Sequence, residues 1–396
     1  MAIKINWQDL LKRYINWQEI VRVYKNGSQV RPWTPSVWDY LYFDVSPTNY
    51  SDIDVELSYS WSNPPAQLEI SLDKTNRSDY ILWTTITFTS QWRVYWRNKS
   101  TTQTLFSSSD GNYNFIFGGA GNVRAWWDVN YLLCKNGTTD LTASWERCFS
   151  GLFSNVNLLT TPPILSATTL TDYCYSSMFS YCENLTTAPS LPATTLSTGC
   201  YYQMFDSCES LTTPPILPAT TLADYCYYEM FLASWLTTAP SLPATTMEEY
   251  CYSWMFIGCD ITTAPLLPAT TLADYCYNEM FRGTSLITPP VLSATTLAVG
   301  CYNEMFRNCG ALTSIPALPA LTIPHSAYDF MFDGCGNIKI SETQTGEYQT
   351  SYRIPTTWTW VYESSAIWGM FYRTWWAFTW DPYVNQTYYT SNTIIS

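Results

Sequence analysis

Cys200-Tyr-Tyr-Gln-Met-Phe-Asp-Ser-Cys-Glu-Ser-Leu-Thr-Thr-Pro-Pro-Ile-Leu-Pro-Ala-Thr-Thr-Leu222 is the stretch whose reading decides the fold. Its Met-Phe pair recurs at Met178, Met204, Met230, Met255, Met280, Met305 and Met331, in steps of 25 or 26 residues. Leu152-Phe153 stands 26 residues before Met178 as a degenerate copy, and Met370-Phe371 follows 39 residues after Met331. A cysteine precedes most copies by four residues (Cys148, Cys174, Cys200, Cys226, Cys251, Cys276, Cys301). Another follows Met by four at Cys182, Cys208, Cys259, Cys309 and Cys335. Ser234 and Thr284 interrupt the second column, and Ala327 and Ala366 interrupt the first. These two columns hold 12 of the 13 cysteines, and we read them as buried thiol ladders rather than a disulfide framework.

A period near 25 predicts a solenoid, because one unit cannot bury its own apolar face and must stack on its neighbours. Leu222, Tyr225, Cys226, Met230 and Phe231 are spaced as one face of a short helix. Leu236-Thr-Thr-Ala239 suits a brief strand that Pro240 ends. The expectation is therefore one short strand and one short helix per coil over residues 134–340.

The combination of Cys, then Met-Phe four residues on, then Cys-x-x-Leu, with Pro-Ala-Thr-Thr-Leu between copies, resembles the BspA-type leucine-rich repeats of bacterial surface antigens. That resemblance implies a binding scaffold displayed on cell surfaces or, in gut bacteriophages, on virions. It names no ligand.

Outside the repeat, residues 1–35 carry Trp7, Leu10, Tyr14, Trp17, Val21 and Tyr24 in alternating steps of three and four. This is a heptad-type stripe, read as an anchor or oligomerisation helix. A hairpin is expected around Asn26-Gly27. Ile5-Asn-Trp7, Val23-Tyr-Lys-Asn-Gly27 and Arg31-Pro32 are together similar to the N-termini of gut-phage proteins, which implies docking to other virion proteins. Residues 36–133 alternate as short strands separated by turn signals and predict a small β-sandwich that acts as a spacer, with capping of the first coil as a second expected role. Residues 341–396 place six tryptophans within 23 positions (Trp358, Trp360, Trp368, Trp375, Trp376, Trp380) and are read as a C-terminal cap.

Composition excludes several chemistries. The 396 residues include one histidine, His325, too few for a multi-histidine metal site or relay. A formal charge of −13 argues against a nucleic-acid partner. No window of eighteen apolar residues predicts membrane insertion, and no export signal is recognised. No Gly-rich phosphate loop suggests a cofactor, and none is expected. Glu229, Glu279 and Glu304 share a column immediately before Met, as a pair of glycosidase carboxylates would require. Stacking of equivalent positions explains that spacing without catalysis, so the column is read as a solvated acidic face, with weak cation binding next.

The variable columns flanking Met-Phe are expected to be exposed. Among them Tyr202, Tyr228, Trp254, Arg282 and Arg307, with Trp235 nearby and Trp358, Trp360, Trp375, Trp376 and Trp380 in the cap, are the candidate binding residues. No catalytic or metal-ligating residue is assigned. The sequence thus points to a multi-domain, homo-oligomeric, non-enzymatic adhesin. The expected carrier is a virion, as fibre, decoration or tail-associated protein, and the expected target is host surface polysaccharide or protein. The alternatives are a repeat scaffold for protein partners, in the cytoplasm or on the surface of a bacterial cell, and a polysaccharide-degrading virion enzyme.

Overall fold

The computed structural model describes residues 23–25 and 28–30, strands and short segments between 41 and 142, residues 146–340 apart from 317 and 321, and 361–362, 368–373 and 375–376. The chain divides into two compact units, Met1–Asp39 and Tyr40–Ser396. In the first, β1 (Val23–Lys25) pairs antiparallel with β2 (Ser28–Val30) across Asn26-Gly27. The heptad stripe from Trp7 to Val21 lies outside the described residues, and Tyr24 lies on β1.

The second unit begins with β3 (Leu41–Ser46), β4 (Ile53–Tyr59), β5 (Leu68–Ser71), β6 (Arg77–Asp79), β7 (Ile86–Thr87), β8 (Arg93–Asn98), β9 (Tyr113–Gly119) and β10 (Asn122–Trp126). They form a three-stranded sheet ordered β7-β4-β9 and a larger one ordered β10-β3-β8-β5-β6, both antiparallel. The two sheets meet through aromatic rings: Phe43 packs edge-on against Phe115 at 4.8 Å, and Trp96 against Phe115 at 5.3 Å. Such edge-to-face pairs add to the burial of large apolar area.

The stretch expected as a separate spacer ending at 133 has no seam there. The first repeat copy contributes β11 (Leu159–Thr161), which pairs parallel with the free side of β10. Phe115 stacks on Phe153 at 5.4 Å, and its N–H donates to the Leu152 carbonyl at 2.8 Å. The sheets therefore cover the first apolar face of the repeat, and both share one core. Length and strand signals locate a boundary only where packing also stops, and here it does not.

The short helix expected in each copy is not what forms. Among the described residues the only helical element is a 3₁₀ turn, Val129–Leu132. In the copy around Met230, Tyr225, Tyr227, Glu229, Phe231 and Ala233 donate their N–H groups to carbonyls of the next copy (Glu249, Cys251, Ser253, Met255, Ile257) at 2.8–3.1 Å. The intervening Cys226, Tyr228, Met230, Leu232 and Ser234 donate three residues back within their own copy at 3.1–3.2 Å. Every second amide thus closes a turn, and every other one ties copy to copy. Buried backbone groups need partners, and this alternation supplies one to each.

The geometry requires a left-handed residue at every fourth position. Tyr225, Glu229 and Ala233 have φ of 56°, 54° and 52°. Other copies place Gly258, Gly283 and Gly334 in the Ala233 column. None of the 19 described non-glycine residues with positive φ is β-branched, the class that tolerates this conformation worst. The other half of each copy is extended, with inward Leu, Pro and Ala alternating with outward residues, as along Pro215-Ile-Leu-Pro-Ala219. Its prolines remove backbone donors, so apart from β11 and a later two-residue β12 (Thr322–Ile323) the described copies join here by isolated parallel bridges such as Thr246↔Thr271↔Thr296 and by single bonds such as Thr237 N–H to the Thr212 carbonyl at 3.2 Å. The strand expected at Leu236–Ala239 does not form, and Thr237-Thr238 bend instead.

Inside, side chains of one column stack on themselves. Phe153 through Phe371 form one ladder with centroids 5.4–5.9 Å apart, and Phe149 through Tyr328 another at 5.6–6.0 Å. The 12 described cysteines are buried and unpaired to one another. Cys208 and Cys259 donate to the carbonyls of Phe179 and Phe231 at 3.1 Å. Ser234 and Thr284, which replace the thiol, donate to the Phe carbonyl of their own copy at 2.9 and 2.8 Å. Each buried hydroxyl thus finds an acceptor, in its own copy rather than in the preceding copy that the thiols reach.

The copy at 368–373 continues the ladder beyond the interruption. Phe330, Phe332 and Gly334 donate to carbonyls of Trp368, Met370 and Tyr372 at 2.9 Å. Strands β13 (Lys339–Ile340), β14 (Val361–Tyr362) and β15 (Trp375–Trp376) complete it, β14 pairing parallel with β12 and β15 with β13.

Ala233→Gly tests the left-handed positions, since a left-handed L-residue costs about 1–2 kcal/mol that glycine avoids. Urea denaturation is expected to show a gain of about 1 kcal/mol. In a helix interior the same change would cost about 0.5–1 kcal/mol instead.

Candidate functional site

Each four-residue turn of a copy projects two residues inward, as Cys226-Tyr227 and Met230-Phe231 do, and two outward. The outward columns of neighbouring copies therefore lie side by side at the ladder spacing. They are less exposed than their sequence variation suggested. Ser176, Ser180, Asp206, Glu229, Ser253, Asn278 and Glu279 are buried, and Tyr202, Tyr228, Trp254, Arg282 and Arg307 are half-buried. Stacking explains the difference, because each side chain is covered by its equivalents one copy away.

Two aromatic rows dominate this face. Tyr202, Tyr228 and Trp254 stack at 4.9 and 5.8 Å. Tyr225, Tyr250 and Tyr275 stack at 4.9 Å each. Tilted and edge contacts join the rows (Tyr225–Tyr228 5.8 Å, Tyr228–Tyr250 6.3 Å), and Tyr173 extends them to Tyr202 at 6.3 Å. Arg147 lies over the Tyr173 ring at 4.5 Å, a cation–π contact. Glycine interrupts the Tyr225 row at Gly199 and closes it at Gly300. A Cβ at Gly199 or Gly300 would stand 2.2 Å from the ring of Tyr173 or Tyr275.

This geometry changes what the strip can recognise. Its ring faces are covered by other rings, so it offers edges and phenol hydroxyls rather than flat stacking platforms. Trp235 is different: it is 56% exposed and no ring covers it among the described residues. Tyr225, Tyr250 and Tyr275 are site residues that the sequence reading missed. The Asp/Glu-Tyr-Cys-Tyr before Met178, Met230, Met255 and Met280 carries them, but a helical period places that first Tyr on the core face.

Polar groups continue the strip. Gln203 donates to Glu229. Asn303 donates to Asn278 at 3.0 Å, and Asn278 to Ser253 at 3.2 Å. Beyond them runs a ladder of alternating charge. Arg282 meets Glu279 at 2.5 Å and Glu304 at 3.7 Å; Arg307 meets Glu304 at 2.6 Å and Asp333 at 2.9 Å; Arg373 meets Asp333 at 2.6 Å. Asp333 is 1% exposed and takes both Arg373 donors, which ties the last copy to the array. Arg282 and Arg307, expected as ligand contacts, are thus engaged within the protein, and so are Glu279 and Glu304. Burial pushes the carboxyls of Glu229 and Glu279 above the usual range.

Trp358, Trp360 and Trp380 lie outside the described residues, and Trp375 and Trp376 are placed only as backbone on β15. Among the described residues no three His, Cys, Asp or Glu side chains converge as metal ligands, and no helix is long and apolar enough to cross a membrane.

One titratable group stands out away from this face. Asp128, at the junction of sheet and repeat, accepts from Asn130 N–H at 2.9 Å and from the Ser166 hydroxyl. Burial outweighs these bonds and raises its pKa from 3.8 to about 6. A carboxyl with a raised folded-state pKa binds its proton more tightly when folded, so its contribution to stability falls as pH rises from about 4 to about 6. At about 1.4 kcal/mol per unit the effect reaches at most about 3 kcal/mol. Denaturation midpoints at acid and neutral pH are expected to differ less in Asp128→Asn than in the wild type, with the wild type losing more on going to neutral pH.

No protein-family model, curated protein or solved structure matches this chain.

Proposed function

We propose that the chain is a non-enzymatic adhesin: a leucine-rich-repeat-type solenoid whose turn face binds a surface glycan or protein on a host cell. The observation that carries this reading is the aromatic strip from Tyr173 to Tyr275. It concentrates half-buried phenols beside carboxylates and amides, in columns that carry glycine, serine or asparagine in other copies. Prepositioned hydroxyls, amides and carboxylates suit the hydroxyl groups of a sugar chain, and rigid tyrosines lose little entropy on binding. The uncovered indole of Trp235 adds one platform for a sugar's apolar face.

The hairpin at Val23–Val30 carries the likeness to gut-phage N-termini and favours a virion as the carrier, docked through that end. Engagement of Glu279 and Glu304 by arginine supports binding over glycoside hydrolysis, which needs one carboxyl protonated and the other unencumbered.

The test is glycan binding by the intact chain, measured by titration calorimetry after screening on an array of bacterial surface polysaccharides. Tyr228→Phe with Tyr250→Phe, which removes hydroxyls and keeps the stack, is expected to weaken binding about tenfold or more, as lost hydrogen bonds of about 1 kcal/mol each imply. Capture of a protein partner with no glycan affinity favours a scaffold. Depolymerised glycan that disappears in Glu279→Gln with Glu304→Gln favours an enzyme.

A further inference from the structure

The extended half of the repeat carries a second surface, which the adhesin reading does not use. Segments 159–170, 185–196, 211–222, 236–247, 261–272, 286–297 and 312–323 contain no Asp, Glu, Lys, Arg or His. The chain's 13% charged residues would otherwise place about one or two in every such segment. What these segments expose is threonine and aliphatic side chain. Thr212, Thr213, Thr220 and Thr221 are exposed, as are their equivalents in neighbouring copies. Between them runs an outward column of Ile164, Ser190, Ile216, Ser241, Leu266 and Val291. Ile216 is 83% exposed, Leu266 78% and Val291 69%. Aliphatic side chains aligned in this way along several copies form a patch of the kind that marks an interface.

Two features identify the occupant. The first is charge. With a net charge of −13 the chain repels its own copies over most of its surface, and this face is where two copies meet without repulsion. A nucleic acid or anionic lipid surface would need cations that the face lacks, and a sugar would need the amides and carboxylates gathered on the turn face instead. The second is shape. Over four successive copies the column alternates large and small: Ile164, Ser190, Ile216, Ser241. Turned end for end about a two-fold axis, that sequence of knobs and holes complements itself. A two-fold contact requires such self-complementarity, each residue pairing with the one that pairs with it.

We propose that the charge-free face is a self-association surface on which two copies of this chain pack antiparallel about a two-fold axis. Ile164 and Ile216 of one protomer seat over Ser241 and Ser190 of its partner. Threonine methyls and hydroxyls flank the contact, and the turn faces of both protomers stay outward for ligand. The pairing also sets distances: Ile164 and Ser241 are three copies apart, about 15 Å at strand spacing, too far to touch within one chain.

Sedimentation equilibrium of the intact chain over a concentration series tests this directly. The wild type is expected at twice 45.4 kDa. Ile164→Glu and Ser241→Lys, each at an exposed position, are each expected to weaken dimerisation about tenfold or more, because a charge is buried unpaired in an apolar contact. Combined in one chain, the two changes restore the dimer, since each Glu then meets a Lys across the axis. A wild type that remains monomeric at every concentration overturns the proposal. So does a dimer indifferent to both single changes, or a double variant no better than either single one. Far-UV circular dichroism of each variant, superimposable on the wild type, confirms that association rather than folding has changed.

Discussion

The structure depends on how the backbone amides of the turn segments are shared. In an α-helix each amide bonds within its own segment, and neighbouring segments adhere through side chains alone. Here alternate amides bond within the copy and the rest bond to the next copy, as Tyr225, Tyr227 and Glu229 do to Glu249, Cys251 and Ser253. The same backbone therefore shapes each copy and joins it to its neighbour. Sharing of this kind fixes the register of the whole array. Side chains of equal position must stack, which is why the Phe and Tyr ladders run at nearly constant spacing. The energetic cost is a left-handed residue at every fourth position, and the absence of β-branched residues there among the described residues records it.

Much of this was legible in the residues, and the part that was not has a physical explanation. The columns of Cys, Met-Phe and Cys correctly mark side chains that stack in a shared interior. Their spacing is Cys226, Met230, Ser234: steps of four and four, with Tyr227 and Phe231 repeating the same step. A helix of 3.6 residues per turn drifts by about 40° over four residues, so a repeating step of four signals a period of four. Five apolar residues fit either period, and the helix was the commoner assignment. Glycine in only some copies concealed the left-handed columns, because Tyr225, Glu229 and Trp254 occupy the same conformations as Gly199, Gly300 and Gly369 elsewhere. The missing seam near residue 133 was invisible for another reason. The pairing of β10 with β11 joins residues about 36 apart, and no local pattern announces it.

For the candidate site, the sequence identified residue types but not their presentation. Tyr202, Tyr228 and Trp254 do lie together, yet ring stacking turns their faces inward to one another. Arg282 and Arg307, which as single residues suggested ligand contacts, belong to a charge ladder that also recruits Asp333 and Arg373. Those two partners are 40 residues apart in sequence. Two properties are thereby segregated on the repeat: hydroxyls, amides and ion pairs on the turn side, and threonine with aliphatic residues on the extended side. The proposed functions follow that division, with ligand assigned to one side and a second copy of the chain to the other.

The left-handed period is the central claim, and tyrosine-selective isotope labelling tests it most directly. A positive φ brings a residue's own amide and α protons closest together, and so strengthens the nuclear Overhauser effect between them. The account predicts strong intraresidue effects at Tyr173, Tyr225, Tyr250 and Tyr275, and weak ones at Tyr175, Tyr227, Tyr252 and Tyr277, two positions further on. Uniformly weak effects at all eight, accompanied by the sequential amide–amide contacts of an α-helix, would contradict it.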